Sequence, residues 1–351
     1  MLRLGVDAAN IVRDRRGIGR YARALLRNWM SRPDRIDITL LVPDLFPQLL
    51  VGRIAAVLGA RNFRVARRTQ TPALDIDVVW YPWNGMTWIA PGPKVATMHD
   101  VWPFASPSPD ARIRRHEQEP FRATAAHAGR IITDSEFSKS EIAFHLGVQR
   151  ETVDVVYLGV DPPIDVPPAR FGAAARYVLF VGEAESRKDL ATLVEAMDRL
   201  PGPMRKDTAL VVAGKGFRTE IEPVARRFSI IAAGEVDDMR LAALYAGACA
   251  FVLPSRYEGF GLPVLEAMSY GVPVIASDAT ALPEAGGDAA CYFAAGDAAA
   301  LSQVLARLIE DPVQAGRSSS AGRRRAAEMT WARCADATLA IIERAARSAN
   351  I

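Results

Sequence analysis

The chain has 351 residues, and a single hydrophobic core does not usually extend over a chain of this length. Two domains are therefore predicted. Half of the residues are hydrophobic, 24% are charged and the net charge is only +3, which is typical of a folded globular protein and excludes a disordered chain. No stretch of about 18 apolar residues occurs, so a membrane-spanning helix is excluded as well. The three cysteines, Cys249, Cys291 and Cys334, lack metal-ligand spacing and predict reduced, buried thiols.

The first half of the chain alternates apolar strands with helical stretches. Its first ten residues, MLRLGVDAAN, enter a strand directly and do not have the pattern of a signal peptide, which favours a cytoplasmic protein. The six predicted strands are Leu2 to Val6, Ile38 to Val42, Val78 to Tyr81, Lys94 to Met98, Arg130 to Thr133 and Val153 to Val156. This alternation predicts a parallel sheet with helices on both faces.

Arginines crowd two places in this half. They are Arg13, Arg15, Arg16, Arg20, Arg23 and Arg27 around the first helix, and Arg61, Arg64, Arg67 and Arg68 further on. A solvated face is one interpretation, and contact with anionic lipid or an anionic acceptor is the other. Nucleic acid is not expected as a partner because no nucleic-acid motif accompanies the charge.

Two loops of the first half fall at the carboxyl ends of predicted strands, where open α/β sheets place ligands. Gly17 and Gly19 precede the first amphipathic helix and permit a close backbone approach, although a tight turn alone also needs such glycines. His99 and Asp100 follow the strand that begins at Lys94, where the histidine either caps a turn or faces a ligand. Further along, Ser135 is predicted as the N-cap of a helix.

A proline-rich stretch, DPPIDVPPAR at 161–170, marks the predicted domain boundary. We therefore predict one domain at 1–165, a second domain at 170–330 and a terminal helix at 331–351. The second domain restarts with a strand at 177–181. Arg187 and Lys188 follow that strand, and as adjacent cations they suit a diphosphate, with a solvent-exposed charge pair as the alternative.

The richest stretch is 251–278, FVLPSRYEGFGLPVLEAMSYGVPVIASD, which predicts a strand, a glycine-rich loop, a short helix and a second strand. Gly259, Gly261 and Pro263 suit a helix start that binds an anion. Two carboxylates, Glu258 and Glu266, bracket that start, so a phosphate and a polyhydroxyl group could bind together. An ordinary turn beside a solvated pair of glutamates is the alternative.

The run EGFGLPVLEA resembles the signature of the retaining, nucleotide-sugar-dependent glycosyltransferases of the GT-B fold, group 1 and family 4-like. GIGRY, the His99-Asp100 pair and VG-x4-RK resemble other segments of that family. This chain departs from it at Glu183, where other members carry a cation directly after the glycine. The resemblance implies an α/β protein with two Rossmann-like domains facing each other across a cleft, an acceptor-side domain at 1–165 and a nucleotide-sugar-binding domain at 170–330. It also implies that the C-terminal helix at 331–351 crosses back to the first domain.

The resemblance also implies the roles of individual residues. Lys188 and Arg187 would hold the donor diphosphate, Glu258 the sugar hydroxyls, Glu266 the ribose, and His99 the sugar near its reacting carbon. These assignments make His99, Glu258, Lys188 and Arg187 the catalytic set. The donor-binding set is Gly17, Gly19, Gly259, Phe260, Gly261, Leu262 and Glu266, and the acceptor-side residues are Arg20 and Asp100. No metal and no cofactor beside the nucleotide sugar are expected.

The implied activity is transfer of a hexose, with mannose from GDP-mannose favoured, to a glycan or lipid-linked acceptor in polysaccharide or glycolipid biosynthesis. The expected location is cytoplasmic, with an anionic membrane at the inner face of the cell as a candidate partner. Two alternatives stay open: a GT-B epimerase or phosphorylase, and a catalytically silent nucleotide-sugar-binding protein. The sequence carries no recognisable code for the nucleotide base, the acceptor, the linkage or the oligomeric state.

Overall fold

The computed structural model describes residues 1–14, 17–43, 46–171, 174–216 and 228–348. Arg15 and Arg16, two of the arginines of the first basic cluster, lie outside the described residues. The chain forms two compact units, one of Met1–Gly159 with Thr330–Ile351 and one of Val160–Met329. Both units are built on a parallel sheet with helices, so the predicted α/β fold of two Rossmann-like domains is confirmed.

The first unit contains a seven-stranded sheet in the order β3-β2-β1-β4-β5-β6-β7. The strands are β1 Leu2–Asp7, β2 Ile36–Val42, β3 Arg64–Arg67, β4 Val78–Tyr81, β5 Lys94–Thr97, β6 Arg130–Thr133 and β7 Val153–Val155. Every neighbouring pair is parallel. Because both faces are covered, the central strands are almost wholly buried, which explains their continuous apolar runs.

Strand β3 was not among the six predicted strands. Arginine occupies two of its four positions, so its sequence lacks the apolar run of the other strands. It pairs only with β2 and forms one edge of the sheet, where Arg64 makes a 2.5 Å ion pair with Asp37. Charged side chains at a sheet edge hinder pairing with another chain, so the arginines suit this place.

The helices of the first unit are α1 Gly17–Met30, α2 Val51–Leu58, α3 Trp102–Ala105, α4 Ala111–His127, α5 Glu136–Leu146 and the terminal helix, numbered α13 below, Trp331–Ser348. The predicted N-cap of α5 is confirmed, because the Ser135 hydroxyl accepts from the backbone N–H of Ser138. The terminal helix packs against α1, and the buried Trp29 indole donates to the Ala335 carbonyl at 3.0 Å. The predicted return of the last helix to the first domain is therefore confirmed.

The second unit contains a six-stranded parallel sheet in the order β10-β9-β8-β11-β12-β13. The strands are β8 Arg176–Val181, β9 Thr208–Ala213, β10 Ile230–Gly234, β11 Ala250–Leu253, β12 Val274–Ser277 and β13 Cys291–Phe293. Its described helices are α6 Leu190–Asp198, α7 Gly202–Asp207, α8 Asp238–Gly247, α9 Leu262–Ser269, α10 Leu282–Gly286, α11 Ala298–Glu310 and α12 Pro312–Glu328. In the proline-rich stretch, the Ile164 N–H donates to the Tyr270 hydroxyl and the Ala169 N–H to the Ala243 carbonyl.

Two predictions about side chains need correction. Only Cys334 is buried, whereas Cys249 and Cys291 are half-buried, although all three thiols are free as expected. The arginine clusters are not simply solvated, because Arg23 donates to the Asp14 and Ile11 carbonyls and Arg68 is ion-paired with the buried Asp7. Over the described ranges, no helix combines the length and the apolar character needed to cross a membrane.

Candidate active site

The most strongly charged buried cluster of the second unit lies where two neighbouring strands end. Strands β8 and β11 are parallel neighbours, with Val178 opposite Ala250, so their carboxyl ends meet at one edge of the sheet. The strand order also reverses there, because the chain builds β9 and β10 on one side of β8 and then continues with β11 on the other. Such a reversal is the usual ligand-binding place of an open α/β sheet.

The loop after β8 presents the two predicted cations. Residues Ser186–Lys188 form one turn of 3-10 helix, and Asp189 follows with a left-handed backbone, φ 47°. The Asp189 carboxylate accepts from Thr192 Oγ1 at 2.8 Å and from Arg256 Nε at 2.7 Å, which fixes this unusual residue. The turn thereby directs Lys188 toward the loop that follows β11.

Glu258, in the loop after β11, is the centre of the cluster and is only 6% exposed. Its Oε1 accepts from Lys188 Nζ at 2.6 Å and from the Ser255 hydroxyl at 2.7 Å, and its Oε2 accepts from Arg187 Nη1 at 3.3 Å. Burial alone would raise the pKa of Glu258, but the nearby charges of Lys188 and Arg187 outweigh burial and the pKa lies below its ordinary value. The carboxylate is therefore ionised at neutral pH.

Neighbouring acids balance the cations of this cluster. Arg187 Nε also pairs with Glu185 at 2.5 Å, so the two cations Arg187 and Lys188 face the two carboxylates Glu185 and Glu258. The ion pairs are thus compensated within the second unit. An incoming dianion would compete with Glu258 for the same two cations.

Backbone contacts hold the Glu258 loop in place. The Arg256 N–H donates to the Arg187 carbonyl at 2.7 Å, which joins this loop to the cationic loop. The Glu258 N–H donates to the hydroxyl of Thr280, a residue with a left-handed φ of 57°. Sequence reasoning missed Ser255 and Thr280. Ser255 carries a hydroxyl three residues before Glu258, which is a weak local signal. Thr280 follows a different strand, and the sequence gives no signal for its contact with Glu258.

The helix that follows this loop is α9, and its N-cap is Gly261 with φ 102°. A Cβ at Gly261 would lie 2.6 Å from the Leu282 side chain, so both conformation and space require glycine. Because the N-cap residue is glycine, it has no side chain with which to cap the helix. Phe260 and Leu262, predicted for donor binding, are buried at 3% and 9% exposure, so their side chains belong to the packed interior.

Glu266 lies on α9 and is 9% exposed. Its Oε2 accepts from the Tyr245 hydroxyl at 2.9 Å, and the Tyr245 ring stacks on Tyr270 with centroids 5.6 Å apart. The structure does not bring Glu266 into the ion-pair cluster of Glu258. The two glutamates therefore have separate surroundings, one with cations and one with tyrosines.

In the first unit, His99 lies just beyond β5 and is 7% exposed. Its Nδ1 is 2.7 Å from Asp134 Oδ2, and its Nε2 is 3.2 Å from the Pro82 carbonyl oxygen. Both ring nitrogens are thus engaged with groups of the same unit. The Asp134 partner was not predicted, because the sequence gave Ser135 a capping role and nothing linked its neighbour to the histidine.

The remaining predicted residues of the first unit lie near helix starts. Gly17 begins α1, and Arg20 is half-buried on the same helix. A Cβ at Gly19 would lie 2.0 Å from the Asp14 carbonyl oxygen, so the packing of its own loop already requires this glycine. Asp100 is half-buried and its Oδ1 accepts from the Trp102 N–H at 3.1 Å, which places it at the start of α3. The predicted ligand contacts of these residues stay predictions.

Comparison with known proteins identifies the family. Residues 175–311 match the family described as "Glycosyl transferases group 1", and residues 15–163 match "Glycosyltransferase Family 4". The O-antigen chain mannosyltransferase B of Escherichia coli is 33% identical over 262 residues, which cover 70% of this chain and 68% of that protein. The chain belongs to the group 1 glycosyltransferases. The predicted family is thereby confirmed.

Other glycosyltransferases extend the comparison. The MMP alpha-(1->4)-mannosyltransferase of Mycolicibacterium hassiacum is 33% identical over 230 residues, 61% of this chain and 54% of that protein. Among solved structures, WaaG, a glycosyltransferase involved in lipopolysaccharide biosynthesis, superposes with a TM-score of 0.74 over 97% of this chain and 99% of its own, at 17% identity. Anabaena Alr3699/HepE in complex with UDP and glucose gives 0.73 over 98% and 100%, also at 17% identity. At such identities the likeness concerns the fold.

Proposed function

We propose that this glycosyltransferase moves a hexose, with mannose favoured, from a nucleoside-diphosphate sugar to a glycan or lipid-linked acceptor, and that the anomeric configuration is retained. The observation that carries the proposal is the buried cluster of Lys188, Arg187 and Glu258 at the strand reversal of the second sheet. The mannosyltransferase relatives support the sugar and the glycan acceptor.

The chemistry follows from the charges of the cluster. The bond between the anomeric carbon and the diphosphate oxygen breaks while the acceptor oxygen bonds to that carbon on the same face, and the acceptor proton passes to the leaving phosphate. Negative charge grows on the diphosphate, and Lys188 and Arg187 would neutralise it in the transition state. The start of α9 adds the positive end of a helix dipole. No metal ion is needed for this stabilisation.

Glu258 has a distinct task in this scheme. Its lowered pKa keeps the carboxylate ionised, so it can accept hydrogen bonds from sugar hydroxyls and stabilise positive charge on the anomeric carbon. Once the diphosphate occupies Lys188 and Arg187, the Ser255 hydroxyl still holds Oε1. We propose that Glu266, held by Tyr245, accepts from the ribose hydroxyls.

The test is a panel of nucleotide sugars incubated with the full chain and simple saccharide acceptors, with and without EDTA. We expect release of nucleoside diphosphate from GDP-mannose above all other donors, unchanged by EDTA, and an NMR spectrum of the product that shows the donor's anomeric configuration. An inverted product would reject the retaining mechanism. Donor binding without release, with every acceptor tried, would favour a silent nucleotide-sugar-binding protein instead.

We also propose peripheral binding at the inner face of the membrane, through the surface formed by Phe46, Leu49, Val51 and Arg53. The three apolar side chains are 61%, 72% and 40% exposed, although they lie within six residues of each other. No acidic residue occurs from position 46 to 68, so the surface suits an anionic bilayer.

Flotation with phosphatidylglycerol vesicles tests this second proposal. We expect salt-sensitive binding that weakens several-fold in the double variant Phe46→Ser and Leu49→Ser. Phe144→Ser is the matched control, since Phe144 is 80% exposed on another helix of the same unit. Equal binding by all three proteins, or no binding to anionic vesicles, would contradict the proposal.

A further inference from the structure

The two hydrogen-bond partners of the His99 ring determine where its hydrogens lie. Its Nδ1 faces the Asp134 carboxylate at 2.7 Å and its Nε2 faces the Pro82 carbonyl at 3.2 Å. A carbonyl oxygen can only accept, so Nε2 must carry a hydrogen. A second hydrogen must then lie between Nδ1 and Asp134, because two bare acceptors would repel each other at 2.7 Å. The shared hydrogen can reside on either atom without changing the total, and the pair therefore holds two protons and no net charge.

We propose that His99 and Asp134 form a hydrogen-bonded pair that holds two protons, called the strap below. The strap positions the strand-end loops of the first unit for glycosyl transfer. The strap joins three elements, since Pro82 follows β4, His99 follows β5 and Asp134 follows β6. In this role His99 and Asp134 are positioning residues. The inference rests on the proposed function only where activity is the readout.

Other contacts show what the strap would position. The N–H groups of His99 and Asp100 both point to the Asn84 side-chain oxygen, at 2.8 and 3.4 Å. Asn84 itself has a left-handed φ of 54°. The Ser138 hydroxyl of α5 donates to the His99 carbonyl at 3.2 Å. The backbone from His99 to Asp100, which includes a predicted acceptor-side residue, is thus held from several sides.

Loss of one strap proton would be costly in these surroundings. Asp134 is 2% exposed, and its Oδ1 has no hydrogen-bond partner within the described part of the chain. The other titratable groups nearby are Asp100 on the same loop, Tyr21 of α1, whose ring meets the His99 ring edge-on at 4.9 Å, and Cys334 of the terminal helix. None of them supplies a positive charge, so deprotonation would leave an uncompensated buried anion.

The direction of the titration agrees with this geometry. Burial alone would lower the pKa of His99, but the charge and hydrogen bond of Asp134 outweigh burial and raise that pKa. The strap therefore keeps its two protons below the raised pKa of His99, down to the pH at which Asp134, whose own pKa burial raises, takes up a proton as well. It loses a proton, and one of its two hydrogen bonds, as the pH rises through the raised pKa. Transfer activity should accordingly fall on the alkaline side of the pH profile.

The first test uses the full chain labelled with 15N-histidine, which contains four histidines. We expect the ring of His99 to show both nitrogens protonated, or one protonated and one in a strong shared hydrogen bond, at neutral pH. Its pKa should lie above the ordinary value of a histidine. A His99 ring with one bare nitrogen at neutral pH would overturn the proposal, and this result requires no variant and no activity.

The second test compares Asp134→Asn with Asp154→Asn. Asp154 is a half-buried carboxylate on β7 of the same unit, but its partners are Arg130 and Arg344, so it is a matched control. Without the Asp134 charge, the His99 ring should be neutral at working pH, and the alkaline limb of kcat/KM should move down by roughly 1–3 pH units. The control should keep the wild-type limb. Identical limbs in both variants would overturn the positioning role while leaving the proposed transfer reaction intact.

Discussion

Each unit carries a buried acid–base pair in the loops that follow its strands, but the two pairs differ in charge. In the second unit, Glu258 receives Lys188 and Arg187 and remains a carboxylate among cations. In the first unit, Asp134 receives one imidazole, and the pair carries no net charge. The second unit therefore keeps separated charges for which an anionic ligand can compete. The first unit keeps hydrogen bonds that hold its loops in place, and an anionic ligand would not displace these hydrogen bonds.

The first unit has a second buried pair, and it extends the same contrast. At the carboxyl end of β1, Arg68 Nη2 lies 2.7 Å from Asp7 Oδ1, and the Arg68 guanidinium packs over the Trp88 ring at 5.1 Å. Strands β1 and β4 form the strand reversal of the first sheet. The same position thus holds one cation beside one acid in the first unit, whereas in the second unit Glu258 faces two cations, one of which, Arg187, also pairs with Glu185. The second arrangement therefore places two cations around its buried carboxylate, and the first places one.

The largest expected effect comes from breaking the pair in the second unit. We expect Lys188→Ala and Glu258→Ala each to lower kcat/KM by about 10²–10³-fold or more, because each removes charge stabilisation that develops in the transition state. Glycosyl transfer from the donor identified by the nucleotide-sugar panel is the measurement. Glu195→Ala is the control, since Glu195 forms an exposed ion pair with Arg199 on α6.

These variants also separate chemistry from folding. All six tryptophans lie within the first unit, so tryptophan fluorescence follows unfolding of that unit alone. The fluorescence transition of the first unit should be unchanged in both variants. Native circular dichroism is the check on the second unit, which carries the substitutions. Near-wild-type turnover in either variant would reject the assignment of the active site to this cluster.

The sequence predicted the parts of this site that depend on local rules. Glycines, a proline at a helix start and residues just past apolar strands mark loops at a sheet edge, and they led to Lys188, Glu258 and His99. It did not predict that Lys188 and Glu258 bind each other. These residues are 70 positions apart, and their contact depends on the adjacency of β8 and β11.

The residues that sequence reasoning missed share a physical reason. Asp134, Asn84 and Thr280 act through contacts with loops of other strands, and no periodicity or capping signal encodes such contacts. Strand β3 was missed because its two arginines interrupt the apolar run expected of a strand. A strand at the edge of a sheet tolerates such charges. The fold class followed from repeated local patterns and the family from the resemblance of EGFGLPVLEA, whereas the contacts that support each site follow from the order of the strands.

A smaller effect, on stability rather than on chemistry, is expected at the pair of the first unit. Arg68→Ala removes the cation from Asp7, which is 2% exposed, and leaves the Ala9 N–H, at 3.2 Å, as a neutral donor to its Oδ1. Burial raises the pKa of Asp7 even when Arg68 is present to oppose the shift, and the variant should raise it further. Breaking a buried pair costs about 3–5 kcal/mol, and protonation of Asp7 can relieve part of that cost at low pH.

The sign of the pH dependence decides whether this explanation holds. A carboxyl group with a higher pKa in the folded than in the unfolded protein makes the folded state less stable as the pH rises. The loss of stability in Arg68→Ala should therefore be larger at pH 8 than at pH 5. Urea unfolding followed by tryptophan fluorescence measures this in the first unit directly. Arg64→Ala is the matched control, because Arg64 is 62% exposed in its pair with Asp37 and should change stability little at either pH. Equal losses in the two variants would mean that Asp7 and Arg68 are no more coupled than a surface pair, and the contrast between the units would then rest on His99 and Asp134 alone.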